Sequence, residues 1–316
     1  MAAITFSLLI IFALLIIGLM ENIPILYPLT GGLAIISLIA FKRGFRGKEI
    51  SALILKGILQ TSQIYILLIL VGASTALWLA CGTVPAFIYY GVKITDPQFF
   101  LISVFLTTSL ISSVIGSSFG TVGTIGIVYM TMARAGQINP DLIAGAIISA
   151  AYLGERVSPL SSSANLIAIL TGTNLYQNIK RMFTAAVLPF VATLVIYLFL
   201  SVMNPLNINF FSAGTELRHF YNLNPVVLLP AILILVLVGL KIDVRIALAA
   251  SIAIAFAEGI ILQAKSAREL MHFMIFGFEA DFPGYISGFL RGGGILSIIN
   301  SLLVVAVSSS YAGIFA

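Results

Sequence analysis

The chain has 316 residues, of which 60% are hydrophobic and 9% charged, with a mean hydropathy of +1.14 and a formal net charge of +5. This composition excludes an ordinary soluble globule, and basic residues placed beside apolar runs set membrane orientation rather than bind nucleic acid. The single Cys81 excludes an intrachain disulfide framework and a thiolate metal cage, while His219 and His272 alone make no zinc site.

In chain order, apolar runs at 4–20 and 23–41 predict an antiparallel helix pair joined near Pro24. No Lys or Arg precedes the first run and no small-residue cleavage site follows it, so it reads as a helix rather than a signal peptide. Lys42, Arg43, Arg46 and Lys48 form the densest basic cluster, which belongs on the cytoplasmic side and places the amino terminus there too. Residues 47–60 predict an amphipathic interfacial helix, 62–80 a span, and 82–90 a second interfacial segment.

Asp96-Pro97 then opens a segment that ends at Gly116. Charge placement favours 97–115 and 121–137 as two arms of a re-entrant hairpin. The broken helix 141–175 then delivers Lys180 and Arg181 to the cytoplasm, 182–203 runs outward, and 204–224 is an external connection. Span 225–240 places Lys241 and Arg245 in the cytoplasm, and 246–263 completes another tight pair. With an amphipathic 265–280 and an apolar 284–304, residues 225–316 echo the start of the chain. Even Tyr65 to Leu77 loosely matches Tyr285 to Leu296. An odd number of crossings separates the copies, so the fold class expected is an all-α polytopic membrane protein with inverted repeats. Residues 1–203 form the first repeat, and the second is incomplete.

The functional candidates sit at two interruptions of membrane-depth helix, Gly116–Thr124 and Gly154–Asn165. Unpaired backbone costs several kcal/mol in hydrocarbon, so a break survives only when buried in protein or lining a watery cavity. Ser117, Ser118, Thr121 and Thr124 supply hydroxyls at the first, and a helix starting near Thr121 would aim its positive end at the site. Close packing through Gly116-x-x-x-Gly120 is the alternative reading. At the second, Pro159 stops the helix, and Ser158, Ser161, Ser162, Ser163 and Asn165 offer hard oxygens for Na⁺ or a polar solute. Asn165 also fits an N-cap. Glu155 and Arg156 are ionisable at membrane depth, which marks a functional position unless the two neutralise each other at the break. Arg291, beside Gly292, Gly293 and Gly294, either pairs with Glu155, Glu279 or Asp281 or snorkels. Trp78 and Cys81 read as lipid-facing or packing residues.

The stretches 116–126, 144–149, 154–161, Asn165-Leu166 and 171–176, in this order and spacing, resemble the NhaC-type sodium/proton antiporter family. The resemblance is dense over roughly 80–200 and implies a secondary transporter exchanging Na⁺ for H⁺ by alternating access in the cell membrane. Relatives exchanging organic acids or carrying amino acids leave that alternative open, as does a non-transporting scaffold. The family usually reads Gly-Asp-Lys-Met-Ser-Pro-Leu-Ser-Asp-Thr-Thr-Asn, where this chain has Glu155 and Arg156 for the acid and base, Ser162 for the second Asp and Ala164 for the last Thr. Glu155 therefore remains as the protonatable group of this loop. The expected site is Ser117, Ser118, Thr121, Thr124, Ser158, Ser161, Ser162 and Asn165, with Na⁺ at Ser118, Ser158, Ser161 and Asn165. The expected partners are the lipid bilayer and a small ion or polar solute. No cofactor and no catalytic residue is expected, and a homodimer is compatible with this reading.

Overall fold

A computed structural model describes residues 2–94, 96–159, 161–206, 216–279 and 290–315. The described residues fold into α-helices, short 3-10 turns and one π-helical turn, with one isolated antiparallel bridge between Phe278 and Gly292. Among the described residues, five helical segments are long and apolar enough to cross a membrane, namely Ser62–Ala80, Pro97–Ile115, Leu175–Met203, Val244–Ile261 and Leu296–Phe315. The protein is thus built as an all-helical polytopic membrane protein.

The chain divides into two compact units, residues 1–69 with 296–316, and residues 70–295. In the first, α1 (Ala2–Met20) and α2 (Leu26–Lys42) pair as the two leading apolar runs predict. Helix α3 (Gly47–Gln60) starts where the Arg46 N–H donates to Glu49 Oε2 at 2.7 Å, and it buries Ile50 and Gly57. Gly57 must stay small, because a Cβ there would meet the backbone of Ser309 and Gly313 in the last helix (Ile299–Phe315). The Tyr311 hydroxyl donates to the Leu29 carbonyl at 2.6 Å and ties that helix to α2.

The second unit begins within α4 (Ser62–Ala80), followed by α5 (Thr83–Ile94), longer than the interfacial segment expected at 82–90. Next come α6 (Phe100–Ile115), the single turn α7 (Ser118–Thr121), a π-helical turn at Val122–Gly126, and α8 (Ile127–Ala135). Helices α9 (Pro140–Val157), α10 (Ser162–Thr171) and α11 (Leu175–Met203) follow, then α12 (Leu229–Gly239), α13 (Val244–Ile261) and α14 (Ala267–Phe276). Their starts repeat one device. Asp96, Asn139, Asn174, Asn224 and Asp243 each accept a backbone N–H in the first turn, and Pro97, Pro140 and Pro225 fill the first position, whose N–H needs no partner. Ser266 and Glu269 cap α14 reciprocally, and the Ser266 donors hold the Glu269 carboxyl below its ordinary range.

Of the two readings of Trp78 and Cys81, packing holds: both are buried, and Trp78 Nε1 donates to Ser251 Oγ at 3.0 Å. The expected span 284–304 differs. Residues 290–295 are irregular, the last helix begins only at Ile299, and Tyr285 and Asp281 lie outside the described residues. Gly292, Gly293 and Gly294 all take positive φ, and a Cβ at 293 would run into the backbone of Ala76. Over residues 290–295 the local match to the helical stretch 65–77 therefore does not hold in backbone shape.

Candidate functional site

Helices α6 and α9 run side by side in the same direction. Phe105 lines a cavity with Ser149 and Tyr152, and Ser113 lines the next with Val157, so position rises together along both. Helix α11 packs back across them, with Phe105 stacked on Phe190 and Tyr197. Segment 118–135 returns beside α6, where the Thr107 hydroxyl bonds that of Tyr129. Residues 100–135 therefore form a helical hairpin that turns at Gly116-Ser117.

The tip of α6 and the tip of α9 meet. Ser112 Oγ donates to the Ala151 carbonyl at 2.6 Å, and a Cβ at Gly154 would overlap Ser112. One turn beyond this contact both helices stop, α6 at Gly116 with φ +70° and α9 at Ser158 with extended backbone. The two interruptions thus begin at the same level, on adjacent helices, with α7 packed on α9.

The interruptions are shorter than the sequence suggests. Of 116–124, only Gly116 and Ser117 leave the helix. Ser117 Oγ accepts the Gly120 N–H at 3.2 Å, and Thr121 and Thr124 donate to the carbonyls of Ser117 and Gly120 at 2.8 Å. Those hydroxyls bond back within the helix instead of leaving its donors free. What remains of the irregularity is the π turn, a form that occurs at functional sites. The helix also starts at Ser118, earlier than Thr121, and its amino end is already capped by Ser117.

Of 154–165, residues 154–157 complete α9 and 162–165 open α10, leaving 158–161 as the break; Leu160 lies outside the described residues. Pro159 follows the last helical residue by two, as its missing N–H requires. Asn165 is not the N-cap. That role falls to Ser161, whose Oγ accepts the Ala164 N–H at 3.3 Å, because Asn165 lies a turn inside and donates its amide to the carbonyls of Pro159 (3.1 Å) and Ser161 (2.8 Å). Ser158 and Ser161 are buried, and Ser161 Oγ bonds Ser163 Oγ at 2.9 Å. Ser163 in turn donates to Glu155 Oε1 at 2.9 Å across the break. The Ser162 side chain lies outside the described residues.

Glu155 and Arg156 do not neutralise each other. Arg156 lines a 160 Å³ cavity with Ser149, Tyr152 and residues of α11, and the one ion pair among the described residues is Arg245 with Asp243 at 2.6 Å. Arg291 instead shares a 510 Å³ cavity with Arg134 and Glu279.

Reading the sequence missed Glu258. It lies within α13, 6% exposed, and neither carboxylate oxygen has a hydrogen-bond partner among the described residues. The signal was present, since an acid in an otherwise apolar span is costly unless it works.

Comparison with known proteins follows the same lines. A 28% identical relative, an uncharacterized Na(+)/H(+) antiporter of Haemophilus influenzae, matches over 87% of this chain and 61% of its own length. The malate-2H(+)/Na(+)-lactate antiporter of Bacillus subtilis is 27% identical over 93% of this chain and 64% of its own. The Na(+)/H(+) antiporter NhaC of Alkalihalophilus pseudofirmus is 39% identical over 42% of this chain and 29% of its own. The chain therefore spans less than two thirds of the length of these relatives. No solved structure matches it. The family model described as Na+/H+ antiporter family matches residues 1–164 and 150–316, and with both halves of the chain covered, the chain belongs to that family.

Proposed function

We propose that the protein is a secondary transporter of the cell membrane that exchanges Na⁺ for H⁺ by alternating access, with its amino terminus in the cytoplasm. The observation that carries this reading is the meeting of the α6 and α9 tips at Ser112 and Gly154, with both helices ending one turn later. Two helix carboxyl ends meet the amino ends of the segments that follow them at that level, the mixture of carbonyls and N–H groups that discontinuous helices offer an ion. Ser118, Ser158 and Ser161 are buried there and bring hard oxygens of the kind Na⁺ accepts. Asn165 holds the break's carbonyls in place through its amide. Ser117, Thr121 and Thr124 shape the hairpin tip, and Ser162 adjoins the break.

Glu155 is the group proposed to alternate between proton and Na⁺. It is half-buried, linked through Ser163 to Ser161, and so a charge change on it reaches the buried hydroxyls directly. In this reading hairpin 100–135 is re-entrant, α9–α10 is the discontinuous helix, and residues 225–316 open an inverted second repeat.

Uptake of labelled Na⁺ into proteoliposomes with an acidic lumen tests the function. Uptake without any organic solute supports it, and uptake that appears only with an added carboxylate refutes it. That second outcome would favour exchange coupled to an organic anion, a reading supported by the 510 Å³ cavity that brings Arg134 and Arg291 together.

A further inference from the structure

Far from the helix breaks, α13 buries an acid that the exchange site does not use. The amino end of α13 lies at the hairpin tip, since a Cβ at Gly120 would come 3.1 Å from Val244 Cγ1. Glu258 lies fourteen residues further on, roughly 21 Å along the helix axis at 1.5 Å per residue. It occupies the last turn, where its own carbonyl accepts the Leu262 N–H at 2.8 Å.

Among the described residues, none donates a hydrogen bond to the Glu258 carboxylate, and the residue is 6% exposed. The carboxyl end of a helix carries the negative pole of its dipole and repels an anion. Helix α12, packed along α13, contributes no titratable side chain. From the junction of α4 and α5 comes the Cys81 thiol, in electrostatic range of Glu258 and bonded to Thr83 Oγ1 at 3.0 Å. Tyr221 adjoins Cys81, and Gln263 spends its amide on the carbonyls of Cys81 and Asn222. On the α14 side, Lys265 sits over the Phe273 and Phe278 rings, Glu269 is held by Ser266, His272 stacks on Phe276, and Arg268 is exposed. An ionised carboxylate left unpaired inside a protein is costly, and taking up a proton removes that cost without moving any neighbour.

We propose that Glu258 is a proton-binding site at the carboxyl end of α13, distinct from the helix breaks, and that its protonation is one event of the transport cycle. Its place in a cycle rests on the antiporter reading, whereas its binding of a proton does not. A second protonatable acid at that distance gives the protein a proton station on the side of the bilayer where α13 ends.

The test has two arms on the full chain in proteoliposomes. Dicyclohexylcarbodiimide enters the bilayer and adds to a protonated carboxyl, leaving a stable N-acylurea. Peptide mass spectrometry is expected to find this adduct on Glu258 and not in Glu258→Gln. Absence of the adduct, with lipid-facing access verified by labelling of a carboxyl placed by Leu235→Glu, overturns the proposal. In the second arm, Glu258→Gln, which keeps the shape of the neutral acid, is expected to retain Na⁺/Na⁺ exchange and to lose at least tenfold of the pH dependence of Na⁺ flux. A pH profile equal to wild type overturns the role in the cycle. If wild type moves no Na⁺ at all, the antiporter reading fails while the adduct alone decides whether Glu258 binds a proton.

Discussion

Gly154 is packed on Ser112 so closely that an added Cβ would overlap both the Ser112 hydroxyl and its carbonyl carbon. The same hydroxyl donates to Ala151, so α6 and α9 are locked by contact and hydrogen bond at one level. Gly154→Ala is expected to cost at least about 1–3 kcal/mol through overpacking. Because backbone as well as side chain is struck, adding Ser112→Ala restores little. Thermal unfolding in detergent of the single and double variants measures this.

Gly123 offers the contrasting case. A Cβ there meets Val71 Cγ2 at 2.5 Å, a side-chain methyl rather than backbone. Gly123→Ala is expected to destabilise by about 1–2 kcal/mol and Val71→Ala to recover most of the loss in the double variant. A double variant as unstable as the sum of the singles would show that the π turn itself requires glycine.

Asp243 caps α13 and binds Arg245 through Nε at 2.9 Å and Nη2 at 2.6 Å. The guanidinium, aided by the Arg245 backbone N–H, holds its carboxyl below the ordinary value, against a smaller desolvation effect. A lowered folded pKa means this contribution is whole above the unfolded value of about 3.9 and disappears as pH falls through the lower folded value. Asp243→Asn keeps the cap and removes the charge. The pair is exposed to solvent, so the variant is expected to lose under about 1 kcal/mol at neutral pH, with the difference vanishing in strong acid. Melting curves across pH follow it.

Glu155 and Ser163 bridge the break between α9 and α10. Ser163→Ala and Glu155→Gln are expected to be non-additive in thermal stability in detergent, with a coupling of about 1 kcal/mol, since each removes the other's partner. Additive losses would show that the bridge does not hold the two helices together.

Much of this architecture is legible in the sequence because membrane helices announce themselves by length and apolarity. Ser62–Ala80 and Gly47–Gln60 fall where the sequence puts them. The extent of the breaks was not legible, because a threonine hydroxyl can serve a ligand or its own helix, and Thr121 and Thr124 serve the helix. The cap at Ser161 was hidden by a choice among neighbouring serines and Asn165 that only backbone direction resolves. Gly292–Gly294 read as part of a span because glycine is apolar, but all three take positive φ, and a Cβ would strike α4 at Gly293 and Gly277 at Gly294.

The account rests on Na⁺ moving against H⁺ through the paired helix tips, and the most direct measurement is lumenal pH in proteoliposomes given an inward Na⁺ gradient. Wild type is predicted to alkalinise the lumen with no organic solute present, and Glu155→Gln to leave it unchanged. Equal alkalinisation by both would contradict the assignment of the site, and none by wild type would contradict the exchange itself.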